Sequence, residues 1–294
     1  MLDQSLPPAA PWRPKVTALV PCYNSAAFIN RTLDSLAAQT WPDLEILIGE
    51  DCSTDNTFEI VTAFAATRGN VRVLRRSENL GWLRNANDLM ANATGELMFF
   101  AFHDDAAEPT YVEKLVVALR DNPNAVLAYS DMQLFQPDGQ GETKVFEALS
   151  DCRTPLERGL VMGGLVTDWW LPNRGLFRSW GFARAGGIKP NAEGEFSADW
   201  TWLLHLSLLG DFVRVPETLC RKYFQKTSLS RNWAFSPAQR RALRQAGMRE
   251  VWNSRLDLPR RAVLAVYIGL NLARLGTLWR RVSRPLSDFK RGQV

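Results

Sequence analysis

Short apolar runs and amphipathic segments alternate along the first half of the chain. The apolar runs lie at residues 16–24, 44–51, 71–76, 96–102 and 125–135, and segments with one apolar face separate them. Parallel strands need a crossover of a dozen or more residues, usually a helix, so this alternation is typical of βαβ units. It predicts an α/β fold in which a Rossmann-like, mostly parallel sheet is flanked by helices.

The cysteines and the glycine motifs argue against several kinds of site. Cys22, Cys52, Cys152 and Cys220 are widely spaced and form no CxxC pair, so neither a disulfide framework nor a zinc site is indicated. The sequence also has no GxGxxG motif and no GxxxxGK[ST] motif. A standard dinucleotide site and a P-loop are therefore disfavoured.

Composition divides the chain into three parts. Residues 1–14 are rich in proline and predict a flexible leader. One large domain is expected over residues 15–235, with a regular half at 15–135 and an irregular half, rich in Gly and Trp, at 136–235. Residues 236–294 predict a basic C-terminal helical extension, because its last 40 residues hold nine basic and two acidic side chains. The net positive charge is confined to this extension, so it does not indicate a nucleic-acid partner.

Acidic and amide side chains follow three of the predicted strands. Asn24 ends the first strand, Asp51 ends the second, and Asp104 and Asp105 follow the fourth. Ligands of open α/β sheets bind outside the carboxyl ends of the strands, so these groups should converge on one crevice. A crevice with several carboxylates repels a phosphate unless a cation such as Mg²⁺ or Mn²⁺ lies between them. The alternative for the Asp pair is a solvated acidic turn that caps the next helix.

Four stretches of the first half carry a resemblance to a known family. They are "VTALVPCYNSAAFINRTLDSL", "LEILIGEDCSTDNT", "NLGWLRNANDLMANATGELMFF" and "HDD", and they follow one another between residues 16 and 135. In order and spacing they resemble a family 2 glycosyltransferase of the GT-A fold. The resemblance implies an inverting enzyme that moves a sugar from a nucleoside-diphosphate sugar to an acceptor hydroxyl. Residues 15–135 would bind the nucleotide-sugar, and residues 136–235 would bind the acceptor.

The resemblance also implies roles for individual residues of the first half. The implied donor-binding residues are Pro21, Tyr23, Asn24, Asp51, Arg84 and Asp104. Asp105 is implied as the ligand of a Mn²⁺ or Mg²⁺ cofactor, in a shortened form of the family's acidic motif where Phe102 takes an acidic position. His103 stands where many members have a small residue or an acid, and no role is assigned to it.

A carboxylate at the start of a second-half helix is the candidate general base. Residues 199–210 are apolar nearly all round and predict a buried helix. Asp199 lies at its N-terminus, where the helix dipole favours the ionised form. An acceptor hydroxyl is a poor nucleophile and needs such a base. The stretch "SADWTWLL" resembles the family's [ED]-D pair, which implies Asp199 as the catalytic base. The alternative is an ordinary helix cap.

Aromatic and basic residues of the second half suggest further contacts. Trp169 and Trp170 are candidate walls of an acceptor cleft, with ordinary core packing as the alternative. The stretch "CRKYFQKTSLS" resembles the family's YRxHxxSxS ending, with Gln225 in place of the His. Lys222 or Lys226 is the expected substitute for the charge of that His.

The C-terminal extension and the implied chemistry together suggest the partners. Residues 258–285 have an apolar body flanked by arginines, which suits a helix in the plane of an anionic membrane. The alternative is a helix packed on the domain or in a dimer. We expect a glycan or lipid-linked glycan acceptor and a place in bacterial surface-polysaccharide or glycolipid assembly. The expected location is cytoplasmic, peripheral on the inner face of the cell membrane, with no nucleic-acid partner.

Two other functions fit the same residues. A polyprenyl-phosphate sugar synthase would use a phosphate as the acceptor and would need no strong base. A non-catalytic nucleotide-sugar-binding protein would bind the donor without releasing free nucleoside diphosphate. The presence of Asp51, Asp105 and Asp199 together argues against this second alternative.

Overall fold

One sheet of nine strands runs through the described residues, which are 12–165, 167–224 and 236–271 of a computed structural model. Most of the predicted leader, the residues Gln225 and Lys226, and positions 272–294 of the predicted extension lie outside the described residues. The α/β class predicted from the sequence is confirmed, because helices cover both faces of this sheet.

The elements have the following bounds. The strands are β1 (Val16–Cys22), β2 (Leu44–Glu50), β3 (Val71–Arg75), β4 (Leu97–Phe100), β5 (Asp105–Ala107), β6 (Ala125–Phe135), β7 (Gly141–Lys144), β8 (Leu176–Arg178) and β9 (Asp211–Tyr223). The helices are α1 (Ile29–Ala37), α2 (Thr57–Ala66), α3 (Trp82–Asn92), α4 (Tyr111–Asp121), α5 (Pro155–Gly163), α6 (Ser179–Ala185), α7 (Ala198–Leu209), α8 (Pro237–Trp252) and α9 (258–271).

The first half of the sheet is parallel and lies in the order β3-β2-β1-β4. Every residue of β1 and β2 is buried, and the two strands pair from Val16 opposite Leu44 to Cys22 opposite Glu50. A strand that is buried on both faces has a continuous apolar sequence, which is why these strands could be predicted. Their shared direction brings the carboxyl ends of β1, β2 and β4 to one edge of the sheet.

The second half of the sheet is mixed. β8 pairs antiparallel with both β4 and β6, whereas β9 runs parallel to β6. β5 pairs antiparallel with β9, and β7 pairs antiparallel with β6. Because β5 follows β4 directly along the chain but pairs with β9, it joins the first half of the molecule to the second.

Two helices, α5 and α6, lie in the half of the domain that the sequence predicted to be irregular. α5 begins with a capping box formed by Thr154 and Glu157, so a start signal was present in the sequence. A Cβ at Gly159 or Gly163 would lie 2.6–2.8 Å from side chains of α9. The glycines that indicated a loop therefore let two helices approach closely.

α7 is buried on nearly all sides, as its sequence predicted. It packs against α5 and α8, and Trp200 is fully buried with its Nε1 donating to the Met162 carbonyl at 2.8 Å. A helix held in this way gives its first residues a fixed position. Among the residues that the structure describes, no helix has the length and apolar character needed to span a membrane.

Candidate active site

Hydrogen bonds of Asn24 join the loops that follow β1 and β2. Its Oδ1 accepts from the Thr54 N–H at 2.8 Å, and its own N–H donates to Ser53 Oγ at 3.0 Å. Asn24 has φ = 47°, a left-handed conformation that is uncommon outside glycine. Pro21 is buried and Tyr23 is exposed in the same segment. The three implied donor-binding residues of this segment thus lie at the predicted edge of the sheet.

Asp51 links the end of β2 to the start of α3. Its Oδ1 accepts from the Leu80 N–H at 2.8 Å and its Oδ2 accepts from the Gly81 N–H at 3.0 Å. Burial raises the pKa of Asp51, although these hydrogen bonds and the charge of Arg76 oppose the rise. Cys52, the next residue, has φ = 61°. The carboxylate therefore fixes the loop before α3 against the end of β2.

Arg84 lies on the exposed side of α3. It lines an open cavity together with Arg76, Phe182 and Gly186. The lining of that cavity includes none of the other predicted donor-binding residues. The donor-binding role of Arg84 therefore stays a prediction from the sequence.

Two buried carboxylates after β4 face two cations. Asp105 opens β5, and its Oδ2 accepts from Arg174 Nε at 2.9 Å. The Lys222 ammonium lies 3.3 Å from Asp104 Oδ2 and 3.6 Å from Asp105 Oδ1. Asp104 is 8% exposed and Asp105 is 4% exposed, and charges removed from water to this extent need such partners. Burial alone would raise the pKa of Asp104, but attraction to Lys222 and His103 outweighs it, and the pKa is lowered.

The same groups decide how a divalent cation fits. Among the described residues there is no group of three or more His, Cys, Asp or Glu side chains that could hold a metal ion. Mg²⁺ or Mn²⁺ needs only one or two carboxylates when substrate phosphates complete its shell. Within the described part of the chain Asp105 Oδ1 is buried without a hydrogen-bond donor, and it shares Lys222 with Asp104. The acid pair therefore fits a cation if the ammonium moves aside.

His103 contacts the loop that follows β1. Its Nδ1 lies 3.0 Å from the Pro21 carbonyl oxygen, and because a carbonyl only accepts, Nδ1 carries the proton. The His103 ring also packs against Phe28, with ring centroids 5.2 Å apart. The residue to which the sequence assigned no role thus ties the acidic turn to the predicted nucleotide-binding segment.

Asp199 begins α7 and is hydrogen-bonded through both carboxylate oxygens. Its Oδ1 accepts from the Trp200 N–H at 3.0 Å, and its Oδ2 accepts from Asn173 Nδ2 at 3.1 Å. Burial raises the pKa of Asp199, and the charge of Arg174 partly offsets the rise. Ser197, just before the helix, has φ = 45°. The carboxylate is therefore held in place and is a stronger base than an ordinary aspartate.

A short 3₁₀ turn, Leu171–Arg174, connects the candidate base to the acid pair. Asn173 donates to Asp199, and the next residue, Arg174, donates to Asp105. Sequence reasoning missed both residues. The one local signal is that polar Asn and Arg interrupt an apolar, Trp-rich stretch. The turn fixes where Asp199 stands relative to Asp105.

Trp169 and Trp170 come just before this turn and are half-buried. Both pack against buried apolar residues of the core, and the Trp170 ring lies 5.4 Å from the guanidinium of Arg174. Asp168, which precedes them, has φ = 62°. Trp170 therefore borders the site through Arg174, and the sugar-stacking role of both tryptophans stays a prediction.

The first half of the chain is similar to known glycosyltransferases. The sequence model described as Glycosyl transferase family 2 matches residues 17–159. This segment is just under half of the chain, and over it the chain is similar to glycosyl transferase family 2. A chondroitin synthase of Pasteurella multocida is 32% identical to it over 126 residues, which are 43% of this chain and 13% of that protein. The chain spans 34%, 65% and 54% of the length of three other curated relatives that it matches.

Solved structures of glycosyltransferases share the fold. S. aureus TarS 1–349 in complex with UDP-GlcNAc superposes with a TM-score of 0.66 at 18% identity, over 87% of this chain and 72% of that one. The mannosyltransferase PcManGT from Pyrobaculum calidifontis, in complex with GDP-Man and Mn²⁺, gives 0.57 at 16% identity, over 93% and 81%. At these identities the likeness concerns the fold alone, and it confirms the GT-A fold that the sequence predicted.

Replacing Asp199 by Asn should stabilise the protein at neutral pH. A carboxyl whose pKa in the folded state lies above its ordinary value of 3.8 costs stability when it is ionised. This cost is absent at a pH below the ordinary pKa. It grows as the pH rises from the ordinary pKa to the raised pKa of the folded state, and it is constant at higher pH. We expect a higher Tm for Asp199→Asn than for the wild type at neutral pH. The two Tm values should converge at acidic pH, as measured by circular dichroism.

Asp55→Asn is the matched control for this measurement. Asp55 lies two residues before the first residue of α2 and accepts from the Thr57 N–H at 3.0 Å and the Ala26 N–H at 3.1 Å. Burial opposes these hydrogen bonds, but they prevail and lower the pKa of Asp55. Its replacement should therefore lower the Tm at neutral pH. If Asp199→Asn lowers the Tm in the same way, Asp199 is an ordinary helix cap.

Proposed function

We propose that this chain is an inverting glycosyltransferase that moves a sugar from a nucleoside-diphosphate sugar to an acceptor hydroxyl. The observation that carries the proposal is the turn Leu171–Arg174, which joins a candidate base, Asp199, to a buried acid pair. Similar folds hold UDP-GlcNAc in TarS and GDP-Man in PcManGT, which supports a nucleotide-sugar donor. The chondroitin synthase among the relatives supports a glycan acceptor and a place in bacterial polysaccharide or glycolipid assembly.

Removal of a proton is the step assigned to Asp199. The acceptor hydroxyl directs its hydrogen at the ionised carboxylate, which takes the proton as the hydroxyl oxygen attacks the anomeric carbon. The bond from that carbon to the diphosphate breaks on the opposite side, so the configuration at the carbon inverts. The raised pKa of Asp199 favours this step, because the group becomes neutral in a buried place as it accepts the proton.

The donor is assigned to the edge of the sheet where β1, β2 and β4 end. Asp51 is proposed to help select the base of the nucleotide, with Pro21 and Tyr23 as further contacts in the adjoining segment. Lys222 and Arg174 bring positive charge to the turn after β4. Charge of this sign, already in place, stabilises the negative charge that grows on a departing diphosphate.

A Mn²⁺ or Mg²⁺ ion is proposed at the acid pair. When bound, such an ion stabilises negative charge on the oxygens of the leaving phosphate. The sequence implies Asp105 as its ligand, but Asp105 Oδ2 is held at 2.9 Å by Arg174. Asp104 faces only the more distant Lys222 ammonium among the ion pairs described, at 3.3 Å. We therefore expect Asp104 to be the principal protein ligand, while Asp105 holds Arg174 through Oδ2 and offers its Oδ1 as a second ligand.

Asn variants of the two acids separate these roles. Asp105→Asn should lower the Tm without any ligand, because an uncompensated buried charge such as that of Arg174 costs about 3–5 kcal/mol. Asp104→Asn leaves Lys222 its contact with Asp105 Oδ1 at 3.6 Å, so its Tm without ligand should fall less, but it should lose the rise in Tm that Mn²⁺ adds in the presence of UDP-GlcNAc. A thermal-shift titration with Mn²⁺ and EDTA measures both effects. The assignment is wrong if Asp105→Asn keeps its Tm and loses the Mn²⁺ effect while Asp104→Asn retains it.

Release of free nucleoside diphosphate tests the proposed reaction. Purified protein is incubated with UDP-sugars and GDP-sugars, each with and without oligosaccharide acceptors. We expect release that requires an acceptor hydroxyl, with an anomeric configuration in the product opposite to that of the donor by NMR. Asp199→Asn should lower the rate by about 10²- to 10⁴-fold, because it cannot take the proton. Transfer to a polyprenyl phosphate that tolerates Asp199→Asn would indicate the synthase instead, and donor binding without any release would indicate a binding protein.

The outer face of α9 supports a peripheral place on a membrane. One apolar face of this helix packs on α5, while Val263, Val266 and Leu270 on its other side are 53–62% exposed. Arg255 and Arg260 are exposed at its N-terminal end. An apolar face bordered by arginines suits the surface of an anionic bilayer. The proposed location is the cytoplasmic face of the cell membrane, where a lipid-linked glycan acceptor could be met.

Sedimentation with lipid vesicles tests this location. Val266→Glu should weaken binding to vesicles that contain phosphatidylglycerol, since it places a negative charge on the apolar face. Val117→Glu is the matched control, because Val117 is an exposed valine on α4 with 37% exposure. Equal binding of the two variants contradicts the proposal. A change of oligomeric state in Val266→Glu would assign the face to a second copy of the chain.

A further inference from the structure

Asn173 is a buried amide of which only one of the two polar side-chain atoms is hydrogen-bonded. Its Nδ2 donates to Asp199 Oδ2 at 3.1 Å, whereas its Oδ1 is buried and has no hydrogen-bond partner among the described residues. Asn173 as a whole is 6% exposed. Buried polar atoms are nearly always bonded, and an exception needs an explanation, such as a role in catalysis.

The orientation of this amide follows from the charge of Asp199. An ionised carboxylate only accepts hydrogen bonds, so it must meet the NH₂ end of the amide. With the amide reversed, Oδ1 of Asn173 would face Oδ2 of Asp199, and two acceptors would repel each other. The unpaired Oδ1 is thus the consequence of giving the carboxylate a donor.

The turn that carries Asn173 is fixed at both ends. The Asn173 N–H donates to the Trp170 carbonyl at 3.0 Å, and the Gly175 N–H donates to the Pro172 carbonyl at 2.8 Å. A Cβ at Gly175 would lie 2.6 Å from the Ala128 carbonyl oxygen, so the turn lies directly on β6. Because the turn is held in place, the Asn173 amide fixes the position of the Asp199 carboxylate that it contacts.

We infer that Asn173 is a positioning residue for the general base, holding the Asp199 carboxylate ionised and in one orientation toward the acceptor hydroxyl. The inference rests on the proposed function and adds a residue that nothing in the sequence assigned. Arg174, the next residue, is the charged group that lowers the pKa of Asp199. It also ties the same turn to Asp105. Two neighbouring residues of one turn thus set the position of the base relative to the donor's acid pair.

Loss of this hydrogen bond should change the pH dependence of the reaction. A donor to the ionised carboxylate favours the ionised form, so removing it raises the pKa of Asp199. The acid limb of the pH–rate profile then moves to higher pH. At a pH below the acid limbs of both proteins, the kcat/KM of the variant is lower than that of the wild type by about tenfold for each pH unit that the limb has moved. At higher pH, where Asp199 is ionised in every variant, the loss is smaller.

The experiment compares pH profiles of kcat/KM for the wild type, Asn173→Ala and Asn173→Asp, with the donor that the release assay identifies. Asn173→Ala removes the donor. Asn173→Asp keeps the shape of the side chain but sets a second carboxylate against Asp199, so its acid limb should move furthest. Asn85→Ala is the matched control. Asn85 is also a buried amide, whose Nδ2 donates to the Gly49 carbonyl at 2.8 Å and whose Oδ1 is also unpaired. The control should lose stability without any movement of its acid limb.

The outcomes separate this inference from the proposed function. An unmoved acid limb in both Asn173 variants, with an active wild type, overturns the inference and leaves the function intact. If the wild type transfers no sugar, the proposed function fails instead. The ¹³C shift of the Asp199 carboxyl, assigned with Asp199→Asn, then decides without any activity. The inference requires a higher titration midpoint in Asn173→Ala than in the wild type.

Discussion

Two carboxylates buried against two cations determine how the halves of this chain meet. Asp104 and Asp105 come from the first half, whereas Arg174 and Lys222 come from the second. Because a buried charge without its partner is strongly destabilising, neither half can bury these groups alone. The pairing holds β5 against β9 and keeps the turn before β8 beside the carboxyl end of β4. The same four buried charged groups thus position both the proposed donor site and the proposed base.

The parts of the fold that the sequence predicted are those with a local signal. β1, β2 and β4 are buried on both faces, so a few consecutive apolar residues identify each of them. α7 was recognisable because only a fully buried helix is apolar all round. The position of Asp199 at the start of α7 followed from the same pattern.

The remaining parts depend on positions far apart in the chain. Asp105 and Arg174 are separated by 69 positions, and no pattern in either neighbourhood indicates the other. Lys222 was considered only as a substitute for a missing His, and its contact with Asp104 spans 118 positions. α5 is a different case, because its capping box was in the sequence but its glycines indicated a loop. Those glycines are explained by the nearby side chains of α9 and α7, which are distant in the sequence.

The left-handed residues around the site have a consequence for the evolution and engineering of this protein. Asn24, Cys52, Asp168 and Ser197 all have positive φ, and such a conformation costs about 1–2 kcal/mol in a residue with a Cβ. Their neighbours hold them in these conformations, so part of the stability of the sheet and of α7 is used to shape the loops. Glycine at these positions would relieve the strain and at the same time free the loops. A more heat-resistant form of the chain should therefore be sought in its outer helices, where the same conflict does not arise.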